Sequence, residues 1–241
     1  MGAKHALVVG SNGGIGKALV RALLLSGDYS KIFAASRRPD NPADARIAPL
    51  AIDLLEEPTL AAAARLVAGH GPLDLMIVAS GRLHRGADVR PEKSLRDIDR
   101  AAMSELLAVN ALGPALAAKH FLPLLARRDR AVAAFLSARV GSIGDNRLGG
   151  WHSYRASKAA LNALVRCFAI ENARQNPDAV VVALHPGTVD TALSAPFQAR
   201  INPSSLLSAD RSAEHLLAVI YGLTPSESGG FFAWNGEPIP F

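Results

Sequence analysis

Cysteine is nearly absent. The single one, Cys167, excludes an internal disulfide, so a reducing, cytoplasmic location is expected. It lies between Arg166 and Phe168 with no reactive motif beside it, and reads as structural. Aromatic residues are scarce at 5%, and no dense basic run exists for them to interleave with. The tightest basic groups are the pairs Arg37-Arg38 and Arg127-Arg128. The net charge of +5 and pI near 9.7 therefore read as a solvated basic surface, and no nucleic-acid partner is expected. The first apolar run, residues 6–9, is far too short for a signal-peptide core or a membrane span. The seven histidines are dispersed without His-Glu-x-x-His spacing, so no metal is expected. A Gly-x-Ser-x-Gly elbow is also missing, which argues against a serine hydrolase.

What is present is an ordinary globular balance, 49% hydrophobic and 20% charged, over a length that suits one α/β domain. Short apolar runs alternate with longer helical patterns, the signature of repeated βαβ units around a parallel sheet. Residues 6–9, 31–35, 48–52, 75–79, 131–136 and 179–184 read as strands. Residues 15–25, 56–67, 101–125, 153–173 and 213–221 read as helices, and 229–234 as an edge strand. The segment 194–208 is irregular and polar, and is expected to be a mobile loop on the substrate side. The fold class is thus a doubly wound, Rossmann-type α/β domain spanning 1–241.

Directly after the first strand comes Gly10-Ser11-Asn12-Gly13-Gly14-Ile15-Gly16, then a helical pattern. Small residues let a pyrophosphate approach the backbone, and the free N–H groups of the helix face it. A glycine turn that merely joins strand to helix is the plainer alternative. The second strand ends Ala35-Ser36-Arg37-Arg38, with no carboxylate to bind the ribose hydroxyls of NAD. A hydroxyl and two guanidiniums suit the extra phosphate of NADP(H), although solvated arginines would read the same way. Asp53, followed by Leu54, either accepts from an adenine amino group or caps the next helix.

Tyr154 and Lys158, four apart in a helical stretch, share one face. An ammonium near a phenol favours phenolate and eases proton exchange with a carbonyl or alcohol. Such a pair also occurs by chance on helix surfaces. Taken in order, Gly10, Gly14 and Gly16, Asp53, Asn110 in Val109-Asn110-Ala111-Leu112-Gly113, Tyr154 with Lys158, and Pro186-Gly187-Thr188-Val189-Asp190-Thr191 resemble the short-chain dehydrogenase/reductase family. The resemblance covers essentially the whole chain. The stretch 141–150 and the apolar tail look most like its C-factor and sniffer-type carbonyl reductase branch. That resemblance implies NADP(H)-dependent interconversion of a small-molecule carbonyl and alcohol. Tyr154 would be the acid/base, Lys158 would bind the nicotinamide ribose and lower the pKa of the tyrosine, and Asn110 would hold a water of the proton relay. Pro186, Gly187, Val189 and Thr191 would seat the nicotinamide and a phosphate, with Asn12, Ile15, Leu54, Ser80 and Gly81 completing the cofactor set. It also implies a homodimer or homotetramer through the helices at 101–125 and 153–173.

Three positions depart from the family pattern. Val9 stands where threonine is usual, and Ser80-Gly81 where two asparagines are usual. Counting back three from Gly141, the substrate-orienting serine falls at Ala138. Losing one such donor can remove about 2–4 kcal/mol of transition-state stabilisation. Ser137 is adjacent but should face the other way; Ser142 is the expected substitute, against a slow enzyme relying on Tyr154 alone. A nucleotide-binding regulatory or signalling protein with weakened catalysis is the competing function. His152 either lines the pocket or sits exposed at the helix start, Trp151 either walls the substrate site or packs under the loop, and Arg139 and Arg147 either face an anionic substrate or solvent.

Overall fold

The computed structural model describes residues 3–86, 89–127, 130–200, 202 and 205–241. Arg128, and Ile201, Pro203 and Ser204 of the expected mobile loop, lie outside the described residues. Seven strands form one parallel sheet: β1 (Lys4–Val9), β2 (Tyr29–Ser36), β3 (Ile47–Ala51), β4 (Leu75–Val78), β5 (Val132–Leu136), β6 (Val180–His185) and, numbered in chain order after two short strands, β9 (Phe231–Ala233). Their order is β3-β2-β1-β4-β5-β6-β9, so the direction of winding reverses between β1 and β4. Ligands of such sheets bind outside the carboxyl ends of the strands at this reversal.

Strand alternation divides the core in two. Leu7, Val9, Met76, Val78 and Phe135 point to one face, and Ala6, Val8, Leu75, Ile77 and Leu136 to the other. The first face is covered by α2 (Glu57–Ala68), α4 (Gly113–Phe121) and α5 (His152–Ala173), through residues such as Leu60, Val67, Phe121, Leu161 and Val165. The second is covered by α1 (Gly14–Ser26) and α6 (Ala209–Gly222), through Leu19, Leu23, Leu216 and Ile220. Fully burying one such side chain contributes about 1.5–3 kcal/mol. Both faces are apolar, hence the uninterrupted hydrophobic runs of the strands.

The expected single helix at 101–125 is interrupted. α3 (Arg100–Leu107) passes into a π-helical turn, Ala108–Leu112, then into α4 and a 3₁₀ turn at Leu122–Leu124. Pro114 has no N–H to give the Asn110 carbonyl four residues earlier, and the Gly113 N–H reaches back to the Ala108 carbonyl instead. By length and composition alone, Arg100–Leu124 passes for a membrane span. Its Ala117, Ala118 and Phe121 are buried in the sheet core, as in a core helix. Within the 194–208 segment, Ala195–Arg200 forms 3₁₀ turns, and β8 (Leu206–Leu207) pairs in parallel with β7 (Thr188–Val189).

Candidate active site

A cleft of about 960 Å³ lies across the carboxyl ends of β1 to β4. Gly10, Asn12, Ser36, Arg37, Arg38, Asp53, Leu54, Ser80 and Gly81 all line it, as expected from sequence. Its floor is close-packed backbone. A Cβ on Gly10 would sit 2.9 Å from the Ser80 N, and one on Gly16 only 2.1 Å from the Gly10 carbonyl oxygen. Gly10 also adopts φ +90°, which glycine alone enters freely. Asn12 donates to the Arg38 carbonyl and so ties the glycine turn to the end of β2. The hydroxyls of Ser36 and Ser80 are buried and have no hydrogen-bond partner among the described residues. Arg37 and Arg38 are exposed, and neither has an ion-pair partner among the described residues. The nearest acid, Asp40, pairs with Lys17 at 3.3 Å.

Asp53 accepts the Leu55 N–H at 3.0 Å, while Glu56 holds the N-cap position of α2. The capping alternative for Asp53 is therefore incorrect: the carboxylate closes a turn ahead of the helix. Ile15, in the first turn of α1, is half-buried and packs against the core on that face of the sheet. Thr191 lies over the start of α1, its Cγ2 being 2.7 Å from where a Cβ on Gly14 would stand. Gly187 and Pro186 lead into this segment, the Pro186 carbonyl accepting from Ser212 at 2.8 Å, and Val189 is buried. Val109 and Arg82 line the cleft and were not anticipated.

At the end of the cleft beside Gly81, side chains from three elements converge. Lys158 Nζ donates to the Leu136 carbonyl at 2.8 Å and lies 3.5 Å from the position of a Cβ on Gly81; Asn110 Oδ1 lies 3.6 Å from the same point. Asn110 is fully buried, accepting from the Arg82 N–H at 2.7 Å and donating to the Arg82 carbonyl at 2.8 Å and to Ser157 Oγ at 3.0 Å. Both amide hydrogens are thus engaged, whereas its main-chain carbonyl has lost its usual helical donor to Pro114. Arg82 is held in turn by Glu105, whose carboxyl Arg85 first, and then Arg82, keep below the ordinary range. Burial brings Lys158 down to about 8.

Tyr154 is 7% exposed, and its hydroxyl has no hydrogen-bond partner among the described residues. Its surroundings are apolar: Leu83, Val89 and Leu106 with Ala138, Val140, Trp151 and Phe197. Burial pushes the phenol well above its ordinary pKa, and no countering pull from Lys158 acts on it. The expected lowering by Lys158 is therefore not found in the protein alone, where the ammonium is directed at the Leu136 carbonyl.

Ala138, two residues beyond the end of β5, is half-buried and packs against the Tyr154 cluster. Ser137 faces away and donates to Asn162 Oδ1 at 2.6 Å. Ser142 does not join Tyr154. A 3₁₀ turn at Arg139–Gly141 carries it away, and it is buried with its hydroxyl accepting the Asp145 N–H at 3.0 Å. Trp151 does line the pocket, 5.1 Å from Phe197 and 6.3 Å from Tyr154 between ring centroids. Arg139 turns to Asp145 and Arg147 to the carbonyls of Gly144 and Asn146.

A glycine-floored cleft joined to a buried Tyr–Lys–Asn cluster at the carboxyl edge of a parallel sheet defines a Rossmann-type oxidoreductase. The profile of the short chain dehydrogenase family matches residues 4–202, and the chain belongs to that family. C-signal of Myxococcus xanthus is 35% identical over 172 residues, covering 71% of this chain and 94% of that protein. Among solved structures, the NADPH-bound carbonyl reductase from chicken fatty liver superposes with a TM-score of 0.85 at 27% identity, covering 99% of this chain and 94% of that one. The carbonyl reductase Sniffer of D. melanogaster gives 0.86 at 25% identity, covering both chains completely.

Proposed function

We propose that the protein is an NADP(H)-dependent carbonyl reductase in which Tyr154 exchanges the proton. The observation that carries this reading is the convergence of Lys158 and Asn110 on Gly81, at the lip of the dinucleotide cleft. The orphaned hydroxyls of Ser36 and Ser80 and the unpaired guanidiniums of Arg37 and Arg38 fit a phosphorylated dinucleotide. Arg37 and Arg38 suit its ribose phosphate, and the N–H groups at the start of α1 its pyrophosphate. The bound nicotinamide supplies the hydride in reduction and accepts it in oxidation. Tyr154, kept as a neutral phenol by burial, donates its proton to the oxygen of a carbonyl seated against Trp151 and Phe197, yielding the alcohol. Lys158, at about 8, is poised to resupply that proton near neutrality. The main-chain carbonyl of Asn110, which Pro114 cannot reach as a donor, is the group that would hold a connecting water.

The test is reduction of phenanthrenequinone, an uncharged dicarbonyl, with NADPH. Tyr154→Phe is expected to lower kcat by about 10²–10⁴-fold with NADPH affinity retained. A Phe variant as fast as the wild type would remove Tyr154 from the chemistry.

A second reading, a nucleotide-binding signalling protein, is favoured by Ala138 in place of an oxygen-binding serine and by the similarity to C-signal. The same variant separates the two, since a biological effect surviving in Tyr154→Phe would not depend on proton transfer.

A further inference from the structure

We propose that Glu92 is the positioning residue of the helix that carries Tyr154 and Lys158, an inference that rests on the function proposed above. Glu92 is 4% exposed, and its side chain lies at the start of α5. The Ser153 N–H donates to its two carboxylate oxygens at 3.2 and 3.3 Å, and the Ser153 hydroxyl donates to one of them. The main-chain carbonyl of Glu92 accepts the Trp151 N–H at 2.6 Å. One residue, some sixty positions earlier in the chain, thus holds both sides of the helix start.

No cationic side chain pairs with this carboxylate among the described residues. A buried carboxylate without such a partner is retained only where fixed dipoles replace water, and the positive end of α5 supplies them. The helix needs an outside cap because its own N-cap residue, Trp151, contributes no side-chain hydrogen bond.

The local backbone shows why the anchor is strong. The chain enters α5 through Gly149, Gly150 and Trp151 at φ +62°, +65° and +52°, and Trp151 is the only non-glycine residue with positive φ among those described. A bulky residue held there is strained. A Cβ on Gly150 would come 3.3 Å from the Glu92 carbonyl oxygen, so the strained entry is built around this residue. Farther along, α5 is fixed by Leu161, Val165 and Ala169 in the sheet core. Its first turn projects beyond that core, and there Glu92 sets where the Tyr154 hydroxyl and the Trp151 wall stand relative to the cleft. A misplacement of about 1 Å at such a point can lower a rate by about 10²-fold.

The experiment compares wild type, Glu92→Ala and Glu92→Gln in NADPH-dependent reduction of phenanthrenequinone. NADPH affinity is measured separately by calorimetry. Trp151 emission is read in a Trp234→Phe background, where it is the only tryptophan. Glu92→Ala is expected to lower kcat about tenfold or more while NADPH affinity stays within about twofold and the Trp151 emission shifts. Glu92→Gln, which keeps an oxygen for Ser153, should recover kcat to within about threefold of wild type. Wild-type kcat with unshifted emission in Glu92→Ala overturns the proposal. So does a loss of NADPH binding in step with kcat, which would make the residue merely structural. If Glu92→Ala does not fold, Glu92→Asp, one methylene short of Ser153, takes its place under the same criteria. A wild type that binds NADPH but reduces no carbonyl contradicts the proposed function instead, and the Trp151 emission then decides the role of Glu92.

Discussion

Ala138 is the residue at which chemistry and ancestry pull apart. Its methyl lies on the pocket wall, where a hydroxyl would meet a substrate oxygen, while Ser137 and Ser142 spend their hydroxyls on Asn162 and Asp145. Under the proposed function, Tyr154 is then the donor to the substrate oxygen. Ala138→Ser is expected to raise kcat for carbonyl reduction by about tenfold or more, the scale of one oxyanion donor. An unchanged rate, together with a slower Ser142→Ala variant, would show that Ser142 supplies the bond after all. Lys158 offers a second test. Burial holds it at about 8 against its ordinary 10.5, so the unfolded chain binds more protons between those values. The penalty for burying its charge is complete below pH 8 and fades as the pH rises toward 10.5. Lys158→Met should therefore stabilise the protein by about 1–3 kcal/mol at pH 7, less so at pH 10, while abolishing turnover. Urea unfolding at the two pH values measures this, and a variant less stable than wild type at pH 7 would contradict it.

Elements repeating one pattern over many residues were legible in the sequence; those made by one or two residues were not. The alternation of apolar runs and helical stretches located β1 to β6 and the flanking helices to within a few residues, because both sheet faces are buried. The π turn at Ala108–Leu112 escaped, since a helical period does not register a single changed hydrogen bond, although Pro114 after Asn110 was its visible cause. The two-residue ladder of β7 with β8 is likewise too short for any periodicity. The cleft-lining residues were readable because they follow strand ends in order, whereas Glu92 meets its partner across 61 residues. The β7–β8 pairing is also the weakest ladder beside the site. Backbone amides of 195–200 are expected to exchange with solvent faster than those of α5, and to slow when NADPH binds. Equal protection in both would show that this segment is part of the rigid fold.

The whole molecule is a parallel sheet whose winding reverses between β1 and β4, with two chemical ends along one edge. One end offers Ser36, Arg37 and Arg38, and the other Tyr154, Lys158 and Asn110, with Gly81 between the cleft and the cluster. Under the proposed function, one dinucleotide spans both. Arg37 and Arg38, without ion-pair partners among the described residues, follow Ser36 directly and line the same cleft. Calorimetric titration of the purified protein with NADPH and, separately, NADH tests the account most directly. Clearly tighter binding of NADPH, with the difference reduced in a combined Arg37→Ala and Arg38→Ala variant, is the predicted result. Equal or tighter binding of NADH would overturn the cofactor assignment, and binding of neither would contradict the oxidoreductase itself.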